Sequence, residues 1–134
     1  MTTTINASPS NGIVQTADGS GVMKLQSNGV TTNALAWANW NGYTAVTVGA
    51  TYNVSSITRV SGGIYTIAFT NAMANTNYAM AGSSNNTTNM YGVFVNGPFS
   101  GSPTLKTTTQ LQVTTVSNGG TADCAEINVV IFGT

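Results

Sequence analysis

Thr, Asn, Ser and Gly crowd every window of this 134-residue chain and leave an α-helix almost nowhere to form. Thr loses rotamer freedom against the preceding helical turn, Ser and Asn bond back to their own backbone, and Gly gives up the most chain entropy. What the sequence offers instead is alternation with a period of two, the pattern of a half-buried strand. Tyr65, Ile67 and Phe69 alternate with Thr66, Ala68 and Thr70, and Leu111 and Val113 alternate with Gln110, Gln112 and Thr114. Near the end Ile127, Val129 and Ile131 repeat the pattern, with Val130 and Phe132 between them. That last segment is apolar on both faces, so it is expected to be covered on both sides, by other strands or by another subunit.

Turn residues punctuate the alternation. Asp18-Gly19-Ser20-Gly21 separates Ile13–Thr16 from Val22–Gln26, Ser61-Gly62-Gly63 separates Ile57–Val60 from Ile64–Thr70, and Asn118-Gly119-Gly120 precedes the final strand. Strands are predicted over 12–16, 22–26, 44–48, 51–60, 64–70, 77–82, 91–95, 109–116 and 126–132. The fold class is all-β, an antiparallel β-sandwich or small barrel, with an interlaced multimer as the alternative. Residues 1–32 contain no aromatic side chain and cannot make a core of their own. They are expected to be an N-terminal β-hairpin or extended arm that leans on the head formed by 33–134, on a sister chain or on a larger particle.

Charge excludes several functions. Only 4% of residues are Asp, Glu, Lys or Arg, against about 25% in an ordinary domain. Lys24, Arg59 and Lys106 are too few and too dispersed to neutralise a nucleic-acid backbone or dock on an anionic membrane. Histidine is absent, which removes the commonest general base and metal ligand. Cys124 stands alone and reads as a small core hydrophobe. No signal peptide is visible at the N-terminus, and the longest apolar run falls well short of the ~20 residues of a membrane helix. No cofactor is expected, and no metal-ligand spacing occurs. Low charge lowers colloidal repulsion and suits permanent assembly.

From residue 36 the chain reads AWANWNG, and 51–80 read TYNVSSITRVSGGIYTIAFTNAMANTNYAM. Trp37, Asn39, Trp40, Asn41 and Gly42, then Tyr52 to Ile57, then Gly63, Tyr65, Thr66, Phe69, Thr70, Ala72, Met73, Asn77 and Tyr78 fall in the pattern of a known family. Over 33–134 the chain resembles the C-terminal, receptor-binding domain of bacteriophage tail-fibre proteins, and INVVIFG at 127–133 looks like that family's closing strand. The resemblance implies a virion protein assembled as a homotrimer, with host-surface recognition as its task. The chain carries no stalk, so it is expected to be a complete short protein whose residues 1–32 contact other virion proteins. A capsid decoration or head-fibre protein is the alternative.

Candidate chemistry is sparse. Asp123 and Glu126 are the nearest to a paired-carboxylate hydrolase, but turn-starting Asp is an ordinary role and no supporting shell is evident. No catalytic residue is assigned and no enzyme activity is expected. Glycan binding fits better, because flat aromatic rings stack on a pyranose while amides bond its rim. The candidate contact residues are Trp40, flanked by Asn39 and Asn41, together with Asn85, Asn86, Asn89, Tyr91, Phe94, Asn96 and Phe99 in the Gly-, Ser- and Asn-rich stretch 82–103. Trp40 suits a core more readily than a contact, and Tyr91, Phe94 and Phe99 suit packing as well as contact. Trp37, Tyr65, Phe69 and Tyr78 are expected in the core.

Overall fold

The computed structural model describes residues 25–27, 30–43, 45–86, 90–95, 105–117 and 120–133. The predicted strand at 12–16 and the Asp18–Gly21 hairpin lie outside the described residues. Every regular element among the described residues is a strand, and every pairing is antiparallel. The strands are β1 (Gln26–Ser27), β2 (Val30–Thr31), β3 (Ala36–Asn41), β4 (Thr47–Tyr52), β5 (Val54–Ser61), β6 (Ile64–Phe69), β7 (Ala79–Asn85), β8 (Met90–Val95), β9 (Gln110–Ser117), β10 (Gly120–Thr121) and β11 (Glu126–Phe132). β1 and β2 form a small ladder of their own, and the rest follow the order β4-β3-β11-β7-β8-β9-β6-β5, with β10 on β9.

The alternating segments behave as their residues require. In β11, Ile127, Val129 and Ile131 are buried while Glu126 and Phe132 are exposed. In β6, Tyr65, Ile67 and Phe69 are buried and Thr66 and Ala68 are only half-buried. The β5–β6 hairpin turns at Gly62-Gly63, as its sequence predicts. Gly63 has φ +72°, and a Cβ there would fall 2.5 Å from the backbone nitrogen of Ala122. A side chain is therefore excluded by conformation and by space.

Two expectations need correction. The predicted strands 44–48 and 51–60 are redrawn as Thr47–Tyr52 and Val54–Ser61, because Asn53 takes a left-handed conformation at φ 55° and turns the chain between β4 and β5. Asn tolerates that region better than other side chains. Asn53 then anchors the turn: its Nδ2 donates to the carbonyls of Leu35 and Asn71, and its Oδ1 accepts from Asn71 N at 2.8 Å. Second, 36–41 is a strand that the prediction omitted, and it pairs with both β4 and β11.

β4 and β5 are consecutive in the chain yet end up at opposite ends of the strand order. The sheet accordingly curls until its two halves share one core. Trp40 on β3 meets Tyr65 on β6 edge-to-face, with ring centroids 5.7 Å apart at 71°. Phe69 on β6 meets Tyr78, just before β7, at 5.9 Å and 86°. Such pairs add to what area burial supplies. β4 and β5 do not pair with each other, so no barrel closes among the described residues and the barrel alternative is set aside.

A partly buried polar cluster fastens one end of this fold. Asp123, in the segment before β11, accepts from Arg59 Nη2 at 2.7 Å, from the Gly63 amide at 2.8 Å and from the Tyr65 hydroxyl at 2.7 Å. The same hydroxyl lies 2.6 Å from the carbonyl of Gly42, so one proton serves two acceptors. Arg59 of β5, Gly63 of the turn and Tyr65 of β6 are thereby held by one carboxylate, and the Tyr65 hydroxyl ties in the chain beyond β3.

Candidate functional site

Strand parity decides which side chains of β3 reach solvent. Successive side chains point to opposite faces, and Ala36, Ala38 and Trp40 take the core face. Trp40 is 1% exposed and packed on Tyr65, with its Nε1 lacking an acceptor. That corrects its assignment as a contact residue. Trp37 is three positions away and lies on the other face, where it is 39% exposed. The expectation that Trp37 fills the core is corrected for the same reason, whereas Tyr65, Phe69 and Tyr78 are buried as expected.

The outer face of β4, β3, β11 and β7 is an ordered grid. One row, read across the strands, is Tyr52, Trp37, Val130 and Ala81. The next is Ala50, Asn39, Asn128 and Ser83. Beyond it Glu126 stands opposite Asn85, and on the far side of the aromatic row Phe132, 40% exposed, stands opposite Ala79. Rows two residues apart are separated by about 6.8 Å, and neighbouring strands by about 4.8 Å. An aromatic and apolar row thus abuts an amide row on an open surface. Within one chain the second face of 127–132 is this open surface, with no other strand of the chain packed over it among the described residues.

Hydrogen bonds fix the amide row. Asn39 Nδ2 donates to Asn128 Oδ1 at 2.7 Å and to Glu126 Oε1 at 3.4 Å. Asn128 Nδ2 donates to the same Glu126 oxygen at 3.2 Å and to Ser83 Oγ at 3.5 Å. Glu126 Oε2 keeps no partner among the described residues. The β3–β4 register slips between Asn39 and Trp40, which leaves Gly49 as the extra residue of a bulge. A Cβ at Gly49 would come 2.5 Å from Asn39 Oδ1, so the bare backbone there makes room for the Asn39 amide.

The residues singled out from the sequence are only partly gathered. Asn85 is exposed at the end of β7, beside Glu126. Asn86 is half-buried, accepting from the Tyr43 hydroxyl at 3.2 Å and donating to the Asp123 carbonyl at 3.5 Å, which makes it a brace between segments. Asn41 accepts from Tyr43 N at 3.0 Å and shapes the turn after β3. Phe94 is 49% exposed on β8, with its ring over Gly92. It pairs with Thr114 on β9, past the point where the β7–β8 ladder, confined to Ser84–Tyr91 and Asn85–Met90, has ended. Asn89, Asn96, Phe99 and the side chain of Tyr91 lie outside the described residues. Trp37, Asn128 and Ser83 were missed, although parity with buried Trp40 would have exposed Trp37 and Asn39 together once 36–41 was read as a strand.

The two carboxylates do not work as a pair. Asp123 is engaged by Arg59, Gly63 and Tyr65, whereas Glu126 is engaged by amides on the outer face. Burial alone would raise the Asp123 pKa, but hydrogen bonds from Arg59, Gly63 and Tyr65 outweigh it and hold the carboxyl below its ordinary range. Burial pushes the Tyr65 hydroxyl up, reinforced by the Asp123 carboxylate, and pushes Tyr78 up to about 12. Burial likewise raises the Cys124 thiol, which is fully enclosed and disfavoured as a nucleophile. Among the described residues no three His, Cys, Asp or Glu side chains gather as a metal centre. The arrangement on the outer face can bind, by stacking and hydrogen bonding. No family model, curated protein or solved structure matches the chain.

Proposed function

We propose that this protein is a bacteriophage virion surface protein, a short tail fibre or tail tip that recognises a glycan on the host cell surface without catalysis. The observation that carries the reading is the open outer face on which Trp37 and Tyr52 adjoin the bonded Asn39–Asn128–Glu126 row. Aromatic surface beside a few fixed polar groups is the usual make-up of a small-ligand site. The resemblance of 33–134 to tail-fibre receptor-binding domains supplies the biological setting. The head is read as a β-sandwich, assembled as a homotrimer, with residues 1–32 attaching it to other virion proteins. Three copies of a weak site on one trimer, and many trimers on one particle, supply avidity without new contacts.

Adsorption tests this directly. Purified protein is expected to bind host cells at micromolar concentration and to compete with phage adsorption, and a failure to bind sinks the proposal. A capsid decoration protein is the second reading. It is favoured by the exposed Phe132 beside Val130, an apolar corner that a neighbouring virion subunit would cover. Imaging of the virion separates the two: density at the tail supports recognition, density across capsid subunits supports decoration.

A further inference from the structure

We infer that the β3–β11–β7 face selects uncharged pyranosides, and that Glu126 is the residue that sets this selectivity. The inference rests on the recognition reading above and names the ligand chemistry and the residues that read it.

Shape comes first. Trp37 offers a half-exposed indole, and Asn39 lies two residues along the same strand on the same face. Asn128 stands beside Asn39 on the neighbouring strand. One hexose laid on the indole would extend its hydroxyls over the amide row, about 6.8 Å further along the strand. The polar groups are already fixed by their own bonds, Asn39 to Asn128 and both to Glu126 Oε1. A ligand therefore does not have to order them, which removes one cost of binding. Glu126 Oε2 remains as an acceptor for a sugar hydroxyl, a charge-assisted bond stronger than a neutral one.

Charge then chooses the ligand. Glu126 carries the one formal charge on this face among the described residues. Arg59 is committed to Asp123 on the other half of the sheet, and Lys106 Nζ sits 4.8 Å above the Tyr78 ring. An acidic sugar placed here would meet a carboxylate with no cation to offset it, and like-charge juxtaposition suppresses wrong partners. A polyol meets donors and acceptors only. The same argument disfavours a second copy of this chain as the occupant, because docking two such faces would bury Glu126 without a cation.

The test uses the full chain against immobilised oligosaccharides presented as neutral and uronic- or sialic-acid-bearing counterparts, with denaturant midpoints recorded for every variant. The wild-type protein is expected to favour neutral ligands by about tenfold or more. Trp37→Ala is expected to weaken all binding by about thirtyfold, as loss of a central Trp does, while still unfolding cooperatively, with a smaller drop in midpoint than Trp40→Ala. Glu126→Gln keeps the size and the amide partners of the side chain, and is expected to narrow the neutral-to-acidic preference by about fivefold or more. Equal binding of acidic ligands, an unchanged preference in Glu126→Gln, or undiminished binding in Trp37→Ala overturns the inference. Wild-type protein that adsorbs to host cells yet binds no saccharide also overturns it and leaves the recognition reading standing. Protein that does neither removes both.

Discussion

Replacing Asp123 by Ala tests whether its carboxylate fastens one end of the fold. The substitution leaves the buried Gly63 amide without its 2.8 Å acceptor and takes away one of the two acceptors around the Tyr65 hydroxyl. An orphaned buried donor costs about 1–3 kcal/mol, and a lost bond to a charged group about 1.5–3 kcal/mol. Tyr65 keeps the Gly42 carbonyl, so the lower end applies to its share. Arg59 reaches solvent and is assigned no part of the sum. The expected loss is about 3 kcal/mol, a large fraction of the 5–15 kcal/mol of an ordinary domain. Urea titration measures it, with a lowered midpoint and an unchanged slope. The effect is also pH-dependent. Because the folded Asp123 pKa lies below its unfolded value, its contribution is complete above the unfolded pKa and fades as pH falls through the folded one. The gap between wild type and Asp123→Ala should thus be full at neutral pH and narrow as pH falls below about 4 and through the lower folded pKa. A loss under about 1 kcal/mol at pH 7, or a gap undiminished in acid, would refute the reasoning.

The two tryptophans of β3 should differ in cost: Trp40→Ala is expected to lose about 3–5 kcal/mol and the part-exposed Trp37→Ala about 1–2 kcal/mol, read by denaturant midpoints. Gly63→Ala places a methyl against the Ala122 backbone at positive φ, so a loss of about 2 kcal/mol or more is expected in thermal or urea unfolding. Asn53→Gly keeps the turn but loses the bonds to Leu35 and Asn71, and should cost about 1–2 kcal/mol, less than Asn53→Ala, which adds backbone strain. Gly49→Ala should lower neutral-glycan affinity with little change in stability, because its methyl displaces the Asn39 amide from Asn128; titration of the variant with a bound neutral oligosaccharide checks it.

Strand identity was legible wherever alternation was regular, and 126–132 was read to its ends. It failed at 36–41, where Ala-Trp-Ala-Asn-Trp-Asn puts a tryptophan on each face and blurs the contrast between them. It failed again at Asn53, since one turn-tolerant Asn inside a run of strand formers is too common in so Asn-rich a chain to mark a left-handed turn. The sequence by itself determined that this chain is built of strands, because Thr, Asn, Ser and Gly penalise helix in every window, and that it carries only six formal charges. Tertiary structure alone decided which aromatic faces water. The pairing of β3 with β11 and β4 buries one tryptophan on Tyr65 and sets the other beside Asn128 and Glu126. It also decided the tasks of the two acids, because β5, β6 and the end of β3 come together around Asp123 only when the sheet curls on itself. Local sequence fixes the period of side chains along a strand, but the partner strands fix which phase of that period is the inside.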